Sequence, residues 1–301
     1  MTLSASPAAR PKSGGSPAEP AADFAAEWAA WRAANEARRR DRYGFLSYAG
    51  VYRLGAMPSA VPGLPGRWSL RAEGPAVEPS PVVELDGDES LVVDERVVTG
   101  RHVFAPLAER EFRRAARAGD VVIELSKRGG IDLLRPLDPS HGLRDAYVET
   151  PAYAPDPAWL VAGEFLPFPA PRPTAIDAAI EGITHRHDAV GEVLLRRDGA
   201  EHRLLFLAAP AGAPGAAFAV FTDATSGVTT YPASRTLHTV LPAGGGPVLL
   251  DFNRAANLQC AYTDFAPCPL APAQNRLPFA VEAGERTPVF RDRAPRSRRS
   301  V

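Results

Sequence analysis

The stretch VLLRRDGAEHRLLFL, residues 193–207, gives the clearest indication of the fold. Two runs that are rich in Val, Leu and Phe, Val193–Arg197 and His202–Leu207, flank the dipeptide Asp198-Gly199. Asp-Gly between two such runs is a strong signal for a tight β-hairpin, because these residues adopt positive φ angles at low cost. The sequence therefore predicts two antiparallel strands joined by a two-residue turn.

Short β-type runs separated by Gly-rich or polar turns continue on both sides of this hairpin. They are Val82–Leu85, Leu91–Val93, Val97–Val98, Val121–Leu125, Ala217–Phe221, Thr229–Tyr231, Thr236–Leu241 and Val248–Phe252. The turn Asp86-Gly87-Asp88 predicts a second hairpin between the first two runs. Many short strands with frequent turns favour a mainly β fold, with β-sandwich or barrel-like halves, over a parallel α/β sheet.

Helical patterns are confined to two segments. Phe24, Trp28 and Trp31 recur at helical spacing, which predicts an N-terminal amphipathic helix from about Asp23 to Asp41 that docks on the main body. The run Leu107–Ala118 also has high helix propensity and follows a proline that suits a first helical turn.

Composition divides the chain at its polar and Pro-rich stretches. Residues 1–21 and 291–301 have few apolar side chains to bury, so we expect a disordered N-terminal tail and a mobile, basic C-terminal tail. The stretch PFPAPRPT, residues 167–174, is expected to be a linker. It would separate an N-terminal half, residues 22–166, from a C-terminal β-rich half, residues 175–290, that contains a long irregular loop.

The bulk properties exclude several functional classes. A net charge of −1 gives no overall attraction to nucleic acid or to an anionic membrane. The N-terminus lacks the apolar core of a signal peptide, and the longest uncharged run, Leu204–Thr222, is interrupted by prolines and glycines. We therefore expect a cytoplasmic protein with a small-molecule ligand, no nucleic-acid or membrane partner and no cofactor. The oligomeric state is left open.

The segment DFNRAANLQCAYTDFAPCPLAPAQNRLPF, residues Asp251–Phe279, is irregular and rich in polar side chains. Its prolines interrupt regular structure, because each removes a backbone donor and fixes φ. Long irregular segments inside compact domains are often functional loops. The segment also contains both cysteines of the chain, Cys260 and Cys268.

This segment and a second block, residues 221–237, resemble a bacterial family defined as a domain of unknown function, DUF1684. The resemblance rests on D-F-N-R-A-x-N-x-x-C-A, C-P-L and N-R-L-P in the first block and on F-x-D-x-T-S-G-x-x-T-Y-x-x-x-R-x-L in the second. The chain departs from the family at Ser234, where glycine is usual, and at Leu258-Gln259, where two prolines are usual. The resemblance implies a β-rich fold, with strand and loop in place of a helix at 107–118, and it implies no reaction.

The two blocks supply the candidate site. Polar residues follow the apolar runs that end at Phe221 and Phe252, so we expect the turn Asp223–Gly227 and the loop Asn253–Arg276 to face each other across one cleft. The candidate catalytic residues are Asp223, Tyr231, Asp251 and Cys260, and the candidate ligand-binding residues are Thr225, Arg235, Asn253, Arg254, Asn257, Asn275 and Arg276.

Arginine side chains bind carboxylates and phosphates through two parallel hydrogen bonds, so this composition suits an anionic ligand. The leading hypothesis is a cytoplasmic enzyme that acts on a small, anionic molecule at residues 223–235 and 251–276. The alternative is a non-catalytic ligand-binding or accessory module that uses the same pocket. For each of these residues a purely structural role, in which it ties the irregular loop to the body, stays open.

Two smaller groups also leave alternatives open. Cys260 and Cys268 have a spacing that suits no common zinc site, so buried structural thiols are favoured over a redox, disulfide or catalytic pair. His185 and His187 form an H-x-H pattern, which places both rings on one face of a strand. For this pair a solvated strand edge is favoured over a metal site that would include Asp188.

Overall fold

The computed structural model describes residues 18–72, 74, 77–209 and 214–291. Its N-terminal half contains helix α1 (Ala18–Arg39), strands β1 (Tyr52–Arg53), β2 (Ser59–Ala60), β3 (Arg67–Arg71), β4 (Ser80–Glu84), β5 (Leu91–Val93), β6 (Arg96–Val98), β7 (Arg101–Val103), β8 (Phe112–Ala118), β9 (Val121–Arg128) and β10 (Ile131–Leu137), and the short helix α2 (Gly142–Ala146).

The C-terminal half contains strands β11 (Leu160–Asp177), β12 (Thr184–Arg197), β13 (Ala200–Ala208), β14 (Ala216–Phe221), β15 (Arg235–Val240), β16 (Gly246–Asp251) and β17 (Ala256–Asn257). Single 3-10 turns lie at Phe45–Ser47, Pro157–Trp159, Phe252–Arg254, Gln259–Ala261 and Ala273–Asn275.

The described strands form three antiparallel sheets. The order in the N-terminal half is β1-β10-β9-β8-β5-β6 in one sheet and β2-β3-β4-β7 in the other. In the C-terminal half the order is β16-β11-β12-β13-β14-β15-β17. The prediction of a mainly β fold with an N-terminal helix is confirmed, and the described sheets do not close into a barrel.

The predicted Asp198-Gly199 hairpin is confirmed as the centre of the large sheet. β12 and β13 pair from Arg197↔Ala200 back to Ala189↔Leu207, and the φ angles of Asp198 and Gly199 are 52° and 77°. Two consecutive positive φ angles are the geometry of a type I′ turn, whose twist matches that of the flanking strands. The turn therefore fixes the register of β12 against β13, and His185 and His187 lie further along β12, where it pairs with β11.

Apolar side chains cover both faces of the large sheet. One face packs Val193, Phe206, Phe221 and their neighbours under the segment that follows β16, including Phe252. The other face carries a smaller cluster around Phe218. The two N-terminal sheets pack around a separate core that contains Trp68, Val83, Phe104, Ile123 and Leu125.

A shared cluster and helix α1 join the two halves. Buried residues from both halves form this cluster: Leu46, Tyr48, Val122, Leu137, Leu143, Tyr147, Tyr231, Cys260, Ala261, Tyr262, Ala266 and Cys268. On the helix, Trp28 Nε1 donates to the Asn253 carbonyl at 3.0 Å, and the Arg39 guanidinium pairs with the buried Glu285 carboxylate. Helix α1 thus docks on the body, as its three aromatic residues predict.

The Pro-rich stretch 167–174, predicted as a linker, instead lies inside β11. Its pairing with β12 is interrupted between Pro167 and Arg172 and then resumes through Asp177. β16 pairs only with Leu160–Phe165, so the Pro-rich part of β11 has one unpaired edge. Proline is tolerated at such an edge because the donor that it lacks would face no neighbouring strand.

Two further local predictions are wrong. The segment 107–118 contains strand β8, as the family resemblance implies, and not the helix that its propensity predicts, because pairing with β9 and burial of Ala115 and Ala116 outweigh helix propensity. The turn Asp86-Gly87-Asp88 does not close a hairpin, because β4 and β5 belong to different sheets. β5 pairs with β6 instead.

The predicted tails fall mostly outside the described residues, at 1–17 and 292–301. At the N-terminal end, helix α1 already begins at Ala18, inside the predicted tail. At the C-terminal end, the Arg291 guanidinium pairs with Asp264 at 2.6 Å and donates to the Cys260 carbonyl at 3.0 Å. Among the helices of the described part, none combines the length and apolar character that a membrane crossing requires.

Candidate functional site

The structure places Asp223, Thr225 and Arg235 in a sealed brace. The Arg235 guanidinium is 1% exposed and pairs with the Asp223 carboxylate at 2.8 Å. It also donates to the carbonyls of Val281, Ala283 and Glu285. Asp223 Oδ1 accepts from the Thr225 amide and hydroxyl and from the Val281 amide. These bonds join β14, β15 and the 281–285 segment.

Asn253 and Asn275 are also bonded within the chain. Asn275 is 1% exposed; its amide group accepts from the Leu205 amide at 2.7 Å and donates to the carbonyls of Leu205 and Val220. Asn253 Oδ1 accepts from the Asp156 amide, and its Nδ2 donates to the Asp156 carbonyl. Both side chains supply the partners that an irregular backbone needs.

Asp251, Arg254 and Arg276 lie nearer the surface. Asp251 caps the 3-10 turn at Phe252–Arg254 by accepting from the Asn253 amide, and it pairs with Arg254 at 3.0 Å. The Arg254 side chain is 38% exposed and also approaches Glu27 of helix α1 at 3.7 Å. Arg276 is exposed beyond the Asn275 brace.

Tyr231, Cys260 and Cys268 belong to the cluster between the two halves. Both cysteines are free and buried, and the Cys260 amide donates to Cys268 Sγ at 3.2 Å. Hydrogen bonds from the Cys268 thiol and the Tyr231 hydroxyl lower the pKa of Cys260, and the bond to Cys260 together with burial raises the pKa of Cys268. Burial raises the pKa of Tyr231 to about 12.

A cavity of about 1220 Å³ lies between the two halves, beside helix α1. Its walls come from the C-terminal part of helix α1, from strands β8 to β10, and from the loop that contains Pro267. Its floor is formed by β12 and β15. Of the predicted site residues, Arg254 and Asn257 line this cavity, and Asp223, Thr225, Tyr231, Arg235, Asp251, Asn253, Cys260, Asn275 and Arg276 do not.

The lining of the cavity is strongly cationic. Seven lining residues are arginines, namely Arg38, Arg39, Arg110, Arg114, Arg128, Arg135 and Arg254, against the two carboxylates of Asp41 and Glu124. Arg135 and Glu124 form a buried ion pair. Arg39 pairs with Glu36 and Glu285. These two arginines are therefore neutralised by the protein itself.

Arg110 and Arg128 are not neutralised in this way. Within the described residues, neither guanidinium has a carboxylate at ion-pair distance. Arg128 donates to the carbonyls of Glu111 and Lys127 at 2.7 Å, and burial, followed by the nearby Arg135, lowers its pKa. The neighbouring Glu109 carboxylate accepts from the amides of Gly129 and Gly130 at 2.8 Å.

His185 and His187 form the deep end of the cavity. Their exposed fractions are 5% and 8%, and their rings lie on one face of β12 with centroids 5.7 Å apart. The shared face is confirmed, but the solvated edge expected for this pair is wrong, because the loop around Pro267 and the N-terminal half cover it. Among the described residues no cluster of three or more His, Cys, Asp or Glu side chains could hold a metal.

The two rings differ in their hydrogen bonding. His185 Nε2 lies 2.5 Å from the Pro267 carbonyl, whereas both ring nitrogens of His187 are buried without a partner in the described part of the chain. Burial and the charge of Arg110 lower the pKa of His187 to about 4. Both effects favour the neutral ring at neutral pH.

The N-terminal contribution to this cavity does not follow from any motif in the sequence. Arg38, Arg110 and Arg128 come from a helix end, a loop and a strand that share no motif, and only the tertiary fold brings them to β12. The run Arg38-Arg39-Arg40, which contributes Arg38 and Arg39 to the lining, is the nearest signal that the sequence does contain.

Comparisons with known proteins place the C-terminal half in a family. The family model described as "Protein of unknown function (DUF1684)" matches residues 145–286. No curated protein matches the chain. Among solved structures, the solution NMR structure of the uncharacterized protein from gene locus rrnAC0354 of Haloarcula marismortui is 30% identical, with a TM-score of 0.42. The match covers 48% of this chain and 80% of that chain. The chain belongs to the DUF1684 family of proteins of unknown function.

Proposed function

We propose that this protein binds a small anionic molecule in the cavity between its two halves. The observation that carries the proposal is His187, a 92%-buried ring (8% exposed) whose two nitrogens have no partner within the described chain. An unsatisfied buried polar group costs about 1 to 3 kcal/mol. A ligand that hydrogen-bonds this ring would offset that cost.

The charge of the lining supports an anion as that ligand. Arg110 and Arg128 lie at the same end of the cavity as His185 and His187, and neither forms an ion pair with a carboxylate of the described residues. Guanidinium groups form paired, charge-assisted hydrogen bonds with carboxylates and phosphates. A cation at the same place would meet repulsion from both arginines.

Binding is favoured over catalysis by the position of the candidate catalytic residues. Asp223 forms a buried ion pair with Arg235. Cys260 and Tyr231 belong to the cluster between the two halves and do not line the cavity. Asp251 caps a turn. An accessory or ligand-binding module at the cavity is therefore better supported than an enzyme that uses these four residues.

One observation favours an enzyme as a second candidate. Because the Pro267 carbonyl can only accept, His185 Nε2 carries a proton and Nδ1 is the basic nitrogen. Burial lowers the pKa of His185, so its neutral form is available at neutral pH to take a proton from a bound molecule. In this case the substrate would still be the anion that the arginines hold.

Calorimetric titration of the full chain at constant ionic strength tests the binding proposal. The probes are inorganic phosphate, pyrophosphate, octanoate and suberate, with glycerol as the neutral control. We expect at least one anion to bind, and R128Q and H187Q each to weaken that binding by about tenfold or more, which corresponds to about 1.4 kcal/mol.

The matched control is R196Q on the same strand β12. The Arg196 side chain is 79% exposed and pairs with Glu201 far from the cavity, so its substitution removes the same charge without touching the lining. Melting temperatures of all variants show whether each remains folded. The proposal fails if no probe binds more strongly than chloride, or if R196Q weakens binding as much as R128Q does.

A further inference from the structure

We infer that the ligand carries two anionic groups, one bound at the deep end by Arg110, Arg128 and His187, and one bound at the mouth by Arg38 and His238. This inference rests on the proposed anion-binding function and specifies its ligand class. It starts from the fact that the cavity has two arginine–histidine groups instead of one.

The mouth of the cavity repeats the composition of its deep end. Arg38 is exposed near the end of helix α1 and contacts the Asn35 amide oxygen, and no carboxylate of the described residues pairs with it. His238 on β15 lies close enough for the charge of Arg38, after loss of solvent around the ring, to lower its pKa. A cation and a neutral imidazole donor thus stand side by side at both ends.

Contacts on the large sheet limit the distance between the His187 and His238 rings. His187 contacts the Phe218 ring edge-on with centroids 5.6 Å apart, and Phe218 stacks on His238 with centroids 5.7 Å apart. These two contacts allow at most about 11 Å between the histidine rings. Both histidines line one continuous cavity, so a single elongated molecule can reach both.

Apolar and aromatic side chains form much of the remaining cavity lining. They are Trp31, Tyr43, Phe45, Tyr48, Leu258, Pro267 and Pro269, and Leu258 also packs against the cluster that contains Phe218. An apolar linker between the two anionic groups would remove this surface from water, whereas a charged linker would lose its hydration there. The geometry therefore favours a linear dicarboxylate or a related dianion over a compact polyphosphate.

Titration with linear acids of increasing length tests the inference. The probes are succinate, adipate, suberate and sebacate, and octanoate is the control that has the chain length of suberate but a single carboxylate. We expect the longer dicarboxylates to bind at least about tenfold more tightly than succinate and octanoate. Pyrophosphate should bind more weakly than suberate.

Two single variants distinguish the two ends. R38Q should reduce the affinity for suberate to that for octanoate and leave octanoate binding unchanged, because octanoate needs only the deep end. R128Q should weaken both ligands, and R196Q neither. Arg38 is exposed, and within the described residues its side chain hydrogen-bonds only Asn35 of the same helix, so R38Q should fold normally.

The outcomes separate this inference from the proposed function. If octanoate and suberate bind equally, or if R38Q weakens both equally, the two-anion ligand is wrong while the anion-binding function stands. If pyrophosphate binds more tightly than every dicarboxylate, the apolar linker is wrong. If no acid or phosphate binds at all, the inference and the proposed function both fail.

Discussion

Arg235 and Arg110 belong to two regions that use the same side chain in opposite ways. Around Arg235, the Asp223 carboxylate and three backbone carbonyls bind both terminal nitrogens of a guanidinium that has 1% exposure, and Nε alone lacks a partner in the described part of the chain. Around Arg110, the described chain supplies no carboxylate partner, and both ring nitrogens of the adjacent His187 lack a hydrogen bond. The chain itself supplies the charge partner of the first arginine and not that of the second.

Whether a polar side chain has partners within the chain indicates its role better than its residue type does. The residues of the brace resemble a family motif, are polar, and flank apolar strands, which is why the sequence favours them as a site. Their partners, however, are backbone groups of the 281–285 segment, which no pattern of spacing identifies. Groups that have partners in the chain stabilise the fold, whereas a buried unpartnered group that lines a cavity is a candidate for contact with another molecule.

The largest expected change in the free energy of unfolding comes from a substitution in the Asp223–Arg235 brace. Replacing Arg235 by methionine (R235M) leaves the Asp223 carboxylate buried without its partner and removes donors from three carbonyls. We expect a loss of about 3 to 5 kcal/mol in the free energy of unfolding, measured by urea denaturation. R276M, at an exposed arginine of the same loop region, should change stability by less than about 0.5 kcal/mol.

A double variant sharpens this prediction. D223L/R235M removes both charges, so it should recover part of the stability that R235M loses, since no unpaired charge is left in the interior. A loss below about 1 kcal/mol for R235M would contradict the brace and return Arg235 to the candidate ligand-binding residues.

A smaller loss of stability is expected for N275A, and R254A is the variant with which it is compared. N275A removes the amide that closes three hydrogen bonds to Leu205 and Val220, and it leaves buried backbone groups unsatisfied. We expect a loss of about 2 to 3 kcal/mol. R254A removes a side chain that is 38% exposed and pairs with Asp251, so its cost should stay below about 1 kcal/mol.

Ligand binding gives the second measurement for the same pair. Because Arg254 lines the cavity but is paired with Asp251, R254A should weaken suberate binding by less than R128Q does, and N275A, at a temperature where it is folded, should not weaken it. Equal stability losses in both variants would show that the loop is a brace along its whole length.

Local pattern predicted the fold where the structure is determined locally. The Asp198-Gly199 hairpin, the N-terminal helix and most of the C-terminal strands follow from turn chemistry and from the spacing of apolar residues. The predictions that were wrong concern segments whose secondary structure depends on pairing with a strand elsewhere in the chain. Segment 107–118 has helical propensity but pairs with β9, and the prolines of 167–174 fit β11 because that edge has no neighbour.

The candidate site was predicted only in part, for a related reason. Arg254 and Asn257 lie in the recognisable block and do line the cavity. Arg38, Arg110 and Arg128 come from segments whose sequences indicate only solvated charge. Their approach to His187 depends on how the two halves pack, and a single sequence does not encode that packing in any local pattern.

The smallest expected effect concerns pH and tests the neutral state of His187. Burial and Arg110 lower its folded-state pKa to about 4, His185 contributes in the same direction, and Asp188 and Glu109 oppose the shift. The unfolded ring has an ordinary pKa near 6.5. Between these two values the unfolded chain takes up a proton that the folded chain does not. Stability should therefore fall as the pH drops from about 6.5 towards 4.

H187Q isolates this contribution, because glutamine hydrogen-bonds but does not titrate in this range. Urea denaturation at pH 7.5 and pH 5 should show that the wild type loses about 2 kcal/mol more than H187Q on acidification. H202Q, at a histidine on β13 away from the cavity lining, should lose as much as the wild type. Saturating suberate should reduce this loss of stability, because a bound carboxylate favours the charged form of His187. If the wild type and H187Q lose equal stability without ligand, His187 is not held neutral by the cavity.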